Sequence, residues 1–130
     1  DLPGRGDTDI GSDAELDEMT ATFLAGPYGG STPYAIEAPF SIMLGGQQVI
    51  GRIDAVYRTD KGFDVVDWKT NRQPTSDPLQ LAIYRLAWAE LQGVDPATVD
   101  GVFYYVRLDD VRRYTDLPDR ALLEQQLGLT

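Results

Sequence analysis

Apolar and polar residues alternate along three consecutive stretches of this chain, Tyr34–Leu44, Val49–Tyr57 and Phe63–Lys69. Neighbouring side chains of a strand point to opposite faces, so each stretch predicts a β-strand. Gly45-Gly46 separates the first two stretches, and Thr59–Gly62 separates the second from the third. Both are short, turn-forming breaks, so the three strands are expected to form an antiparallel meander. After a break at Asn71–Pro78 the period changes. Leu79, Ile83, Leu86, Ala87 and Leu91 recur at helical spacing and predict a helix over Leu79–Gln92, with Gly93 as its stop. A weaker stripe of Leu16, Met19, Phe23 and Leu24 predicts a helix over Ala14–Leu24, capped by Ser12 or Asp13 and ended by Gly26-Pro27 and Gly29-Gly30. Asp100–Leu108 reads as a further strand in which Tyr104 and Tyr105 face opposite sides, one of them toward the core. A turn at Asp109-Asp110, a short strand near Val111–Tyr114 and a closing helix over Leu117–Leu127 complete the pattern. Helix, three strands, helix, one or two strands, helix describes an α/β fold with a mixed sheet flanked by helices.

Composition narrows the chemistry such a fold can carry. The chain has 130 residues, enough for one domain with a core that needs no disulfide or structural metal. It contains no Cys and no His. That excludes a disulfide framework, a thiolate nucleophile, a Ser-His-Asp triad and an imidazole ligand within this chain. A metal held here has to sit on oxygen ligands, which favours Mg²⁺, Mn²⁺ or Ca²⁺. The formal net charge of −10 argues against a stand-alone nucleic-acid binder. The charge is uneven, however. Asp1 to Glu18 holds seven acids and one base, whereas Gly51 to Arg72 holds five bases and four acids. Residues 1–12 read as a flexible acidic lead-in and residues 13–130 as a single domain. No apolar run is long enough to span a bilayer and the first residues do not form a signal peptide, so a cytoplasmic location is expected. The chain lacks an initiator Met and reads as a fragment of a longer protein.

Three charged residues sit where strands should be buried. Asp54 lies mid-strand in Gly51-Arg52-Ile53-Asp54-Ala55-Val56-Tyr57, and Asp67 and Lys69 lie in Phe63-Asp64-Val65-Val66-Asp67-Trp68-Lys69. Alternation sends Asp67 and Lys69 to one face and Val66 and Trp68 to the other. A hairpin between the strands would bring Asp54 toward Asp67. Two adjacent carboxylates repel unless a cation compensates them. A divalent metal would do so, with the Trp68 carbonyl as a further oxygen, and Lys69 would then stand beside the reacting phosphate or water. The alternative is a solvated strand face carrying an ordinary Asp-Lys pair of small energetic worth. What weighs against that alternative is the apolar setting, where an unpaired carboxylate is expensive. On the following helix Gln80 and Tyr84 are four residues apart and share a face. They either line the same cleft or flank the core, as Trp88 does in the same row. Arg72, Arg85, Arg107, Arg112 and Arg113 are candidate phosphate contacts or ordinary surface arginines.

The blocks Gly51-Arg52-Ile53-Asp54, Asp67-Trp68-Lys69-Thr70 and Gln80-Leu81-Ala82-Ile83-Tyr84 together resemble the RecB-like branch of the PD-(D/E)XK nuclease superfamily. Their wording is similar to the C-terminal nuclease domains of UvrD/RecB- and AddAB-type bacterial helicase–nucleases, over about residues 34–108. The resemblance implies a restriction-endonuclease-like α/β fold with a mixed central sheet flanked by α-helices. It implies a Mg²⁺- or Mn²⁺-dependent DNA nuclease acting in double-strand-break repair and recombination, with ATP used only by the parent helicase motor. Asp54, Asp67 and the Trp68 carbonyl would be metal ligands, and Lys69 would be the catalytic lysine beside the catalytic carboxylates Asp54 and Asp67. Gln80 and Tyr84 would support the site and contact substrate. DNA, the helicase domains of the same parent chain and a second helicase–nuclease subunit would be the partners, with no membrane. Glu37 matches a frequent Glu on the preceding strand, with packing or an ion pair to Arg52 as the competing role. Members of the branch commonly add a His ligand from an upstream helix, and this chain has none. That departure leaves a second expectation, a nuclease-fold module that is catalytically inactive and serves as a structural or DNA-scanning partner.

Overall fold

The computed structural model describes residues 13–129, and the expected lead-in at 1–12 with the Ser12 cap lies outside the described residues. Helix α1 (Asp13–Ala25) is followed by β1 (Ala35–Leu44), β2 (Gln47–Arg58), β3 (Phe63–Lys69), α2 (Leu79–Gln92), β4 (Val99–Tyr105), β5 (Asp110–Tyr114) and α3 (Arg120–Gln126). The five strands form one mixed sheet in the order β1-β2-β3-β4-β5. β1–β3 are an antiparallel meander, β3 and β4 run parallel through the α2 crossover, and β5 returns antiparallel. This is the α/β architecture expected, a mixed sheet with helices on both faces.

Local chemistry explains the boundaries. Gly45 and Gly46 both adopt positive φ (55° and 79°) between the paired residues Leu44 and Gln47. This is the two-residue turn whose twist matches the flanking strands. Pro78, with φ −63°, enters α2, and the Asp77 carboxylate accepts from Leu79 N. Gly93 ends the helix in the left-handed region (φ 66°), while Val94 N donates to Ala89 O. The closing helix is shorter than its apolar pattern suggested. It starts after Asp119, whose side chain accepts from Leu122 N.

Two apolar clusters sandwich the sheet. One lies under α2 and contains Ile53, Val56, Phe63, Val65, Leu81, Trp88 and Phe103. The other lies under α1 and contains Met19, Tyr28, Ala55, Val66, Trp68 and Tyr104. β3 and β4 are covered on both sides, so every residue of both is buried. Tyr104 and Tyr105 are therefore both core residues, where alternation alone had required only one. The helical stripes shift for the same reason. Leu24 and Leu91 are exposed at 62% and 55%, while Leu81, Arg85 and Trp88 are buried. Trp88 in the core is the outcome favoured for it.

Gly101 in β4 lets α2 approach the sheet. A Cβ there would stand 2.9 Å from Leu81 Cβ and 2.9 Å from a Leu117 methyl. Gly101→Ala is expected to destabilise the fold by about 2 kcal/mol through overpacking, as read by urea denaturation. An unchanged midpoint would show that α2 has slack against the sheet.

Candidate active site

The site forms where β3 leaves β2. The two strands pair through Ala55↔Val66, and β3 then continues on β4 alone, as far as Lys69↔Tyr105. Asp54 would be the next residue opposite Asp67. Its carboxylate takes the place of the missing rung, with Trp68 N donating to Asp54 Oδ2 at 2.9 Å. On its other side Asp54 borders a second irregularity. β1 and β2 pair at Ile36↔Ala55 and Ala38↔Ile53, and Glu37 between them sits at φ 47°, a conformation L residues rarely adopt. Arg52 donates to the Glu37 carbonyl at 3.4 Å. Strained backbone on one flank and an opened ladder on the other aim Asp54 into the space under α2.

Asp67 and Lys69 occupy that same space. Both are buried, at 5% and 6% exposure, and Lys69 Nζ lies 2.9 Å from Asp67 Oδ2. Despite that closeness, Asp67 Oδ2 has no partner of hydrogen-bonding geometry among the described residues. Lys69 Nζ donates instead to Gln80 Oε1 at 3.1 Å and lies 5.6 Å above the Phe103 ring. Gln80 Nε2 in turn donates to Tyr84 Oη at 2.8 Å. One turn of α2 thus delivers the amide that holds the ammonium and the hydroxyl that holds the amide. Phe40 packs edge-on against Tyr84, with ring centroids 5.5 Å apart.

Electrostatics follow from the crowding. Burial, then the hydrogen-bonding and charge contact with Asp67, hold the Asp54 carboxyl well above the ordinary carboxylate range. The Trp68 N–H and the Lys69 ammonium pull it partly back. Burial, helped by the negative charge of Asp67, pushes the Tyr84 hydroxyl up to about 12, so it keeps its proton at neutral pH. Among the described residues the site is an acidic pair, Asp67 buried and Asp54 half-buried, with one compensating cation, Lys69.

The structure brings Asp54, Asp67, Lys69, Gln80 and Tyr84 together. The Trp68 backbone is in the site, while its side chain belongs to the core under α1. The other arginines differ from the surface picture. Arg85 is buried and donates to the carbonyls of Pro96, Val99 and Leu117, tying α2 to the loops that flank β4 and β5. It is unavailable to a phosphate. Arg113 bridges Asp64 and Asp100 at 2.6 and 3.1 Å, and Arg112 pairs with Asp110. Glu15 was not singled out by any sequence pattern. It reaches from α1 to Arg107 and Arg72 beside the end of β3.

The donor set suits a hard cation. Among the described residues no group of three or more Asp, Glu, His or Cys is arranged as a metal cage. Mg²⁺ does not require one, since it commonly binds through one or two carboxylates while keeping water and substrate oxygens. An Asp67 oxygen without a hydrogen bond beside an Asp54 carboxyl of raised pKa is a pair short of positive charge. The Asp54 and Asp67 carboxylates are therefore oxygen donors that fit such an ion.

The family model of the PD-(D/E)XK nuclease superfamily matches residues 12–127. Among solved structures, the crystal structure of SSO0001 is similar at 24% sequence identity and a TM-score of 0.48, covering 88% of this chain. The chain spans 55% of that protein's length. No curated protein matches. Among the described residues no helix is long and apolar enough to cross a membrane.

Proposed function

The chain belongs to the PD-(D/E)XK nuclease superfamily, and from that membership we propose that Asp54, Asp67 and Lys69 hydrolyse phosphodiester bonds of DNA with the help of Mg²⁺ or Mn²⁺. The observation that carries this reading is the under-compensated carboxylate pair, Asp67 buried and Asp54 half-buried, beside a lysine held by Gln80. Asp54, Asp67 and the Trp68 carbonyl would hold the ion. When bound, it would polarise the scissile phosphate and lower the pKa of a water molecule. Lys69 presents its ammonium where negative charge develops on the phosphate, in a site shielded from solvent, where such a charge has most effect. Gln80 fixes the ammonium in place, so little reorganisation is needed during reaction. Tyr84, still protonated, orients Gln80 and offers a donor to substrate oxygens.

The finer reading follows the motif blocks. Residues 13–130 are the RecB-like nuclease domain of a larger cytoplasmic helicase–nuclease acting in break repair and recombination, and its motor delivers the strand to be cut. Helicase domains of the same chain, and a second helicase–nuclease subunit, would supply most of the DNA affinity that a chain of net charge −10 lacks. A second reading, a silent scanning or structural module, draws support from the carboxylate count. Among the described residues, two carboxylates without a third ligand side chain make a minimal site.

Mn²⁺-dependent cleavage of single-stranded DNA separates the two, with Asp67→Ala as the control. The nuclease reading expects cutting by the wild-type protein and a loss of at least about 10³-fold in the variant, the scale of removing a principal electrostatic group. Equal cutting by both, or none by either, leaves the silent module.

A further inference from the structure

The geometry points to a phosphate-binding subsite formed by Arg72 and Arg107 at the C-terminal end of β3, held closed in the free protein by the carboxylate of Glu15. The subsite rests on the nuclease reading above and would take a phosphodiester group of the strand next to the one being cut.

Arg107 is fixed one residue beyond the catalytic lysine. Its Nε donates to the Thr70 carbonyl at 3.1 Å, and its side chain is only 14% exposed. Its terminal nitrogen reaches Glu15 Oε2 at 2.5 Å, and Arg72 reaches the same oxygen at 3.3 Å. Arg72 lies in the loop after β3, with its side chain 60% exposed. Two guanidiniums converging on one oxygen are an anion site, and Arg is the side chain best matched to phosphate oxygens. Glu15, the carboxylate on which they converge, comes from α1, 57 and 92 residues away in sequence. Hydrogen bonding to Arg107 holds the Glu15 carboxyl below its usual range, so it remains charged at neutral pH. A partly exposed ion pair is weak enough for a polyanion to displace. Displacement would put a phosphate of the strand where the two guanidiniums converge, with Arg107 still anchored on Thr70.

The test is binding of a short fluorescent single-stranded oligonucleotide in chelator, where cleavage cannot intervene. Glu15→Gln should tighten binding about threefold and steepen its salt dependence by about one counterion. Glu18→Gln makes the same charge change at an exposed position of α1, and it should give less than half of that gain. Arg72→Ala, an exposed change that spares the fold, should weaken binding about threefold and cancel the gain of Glu15→Gln in the double variant. The subsite is overturned if Glu15→Gln binds no tighter than Glu18→Gln, if the gain survives Arg72→Ala, or if no variant binds at all. A Glu15→Gln protein that melts earlier without binding better makes Glu15 a structural clamp and also overturns it. Because no metal is present, a gain that appears while wild type and Asp67→Ala cut equally would sink the nuclease reading and leave the subsite standing.

Discussion

Lys69→Met is expected to reduce DNA cleavage by about 10³-fold and to cost the metal-free fold about 3 kcal/mol. The two losses have separate causes and separate remedies. In the wild-type protein the ammonium lies 2.9 Å from Asp67 Oδ2, and both side chains are buried. Met fills nearly the same volume without the charge, so Asp67 and Asp54 would face each other with no cation between them. Breaking one partner of a buried ion pair is strongly destabilising because the other charge remains. A divalent ion should make good that deficit, so millimolar Mn²⁺ should raise the melting temperature of the variant more than that of wild type. It should not restore cutting, since the charge facing the phosphate would still be missing. Single-turnover cleavage and thermal melts with and without Mn²⁺ read the two effects independently. Cutting at the wild-type rate would remove Lys69 from the chemistry, whatever happens to stability.

The face on which these residues meet was legible because strand alternation and two hairpin breaks leave little freedom. Once Gly45-Gly46 and Thr59–Gly62 are turns, Asp67 and Lys69 must share a face, and a neighbouring antiparallel strand carries Asp54 within reach. Gln80 and Tyr84 followed from helical spacing. What escaped depends on contacts that alternation does not encode. Tyr105 is buried along with Tyr104 because α1 and α2 cover opposite faces of β4, and only the assembled layers show that. Arg85 looks like a surface cation on an amphipathic helix. It is a core residue because three backbone carbonyls converge on it. The left-handed backbone of Glu37 has no signature in a segment of alternating residues, since Gly would have been the usual occupant. The Glu15 bridge joins residues far apart in sequence, and no spacing rule reaches that far.

Asp54→Asn separates the stability of the site from its function, in the opposite direction to Lys69→Met. The variant should melt higher than wild type without metal, by about 4 °C for about 1 kcal/mol, and should lose both cleavage and the stabilising response to Mn²⁺. Asn is nearly isosteric, and its carbonyl oxygen can still accept from Trp68 N, so the substitution for the missing β2–β3 rung survives. What disappears is a half-buried negative charge pressed against Asp67. The sign of its pH dependence follows. The Asp54 carboxyl titrates above its ordinary range in the fold, chiefly because it is buried and next because Asp67 is beside it. Its favourable share of stability is present below the unfolded value and is lost as pH rises through the raised one. The advantage of Asn over Asp should therefore widen from pH 5 to pH 8 in chelator, and Mn²⁺ should reverse it by stabilising only the wild-type pair. Melting curves of both proteins at pH 5 and pH 8, with and without Mn²⁺, give eight values whose ordering decides the matter. If Asp54→Asn melts below wild type in chelator at pH 8, the carboxylate pair is compensated by the fold alone and has no deficit for a cation to fill.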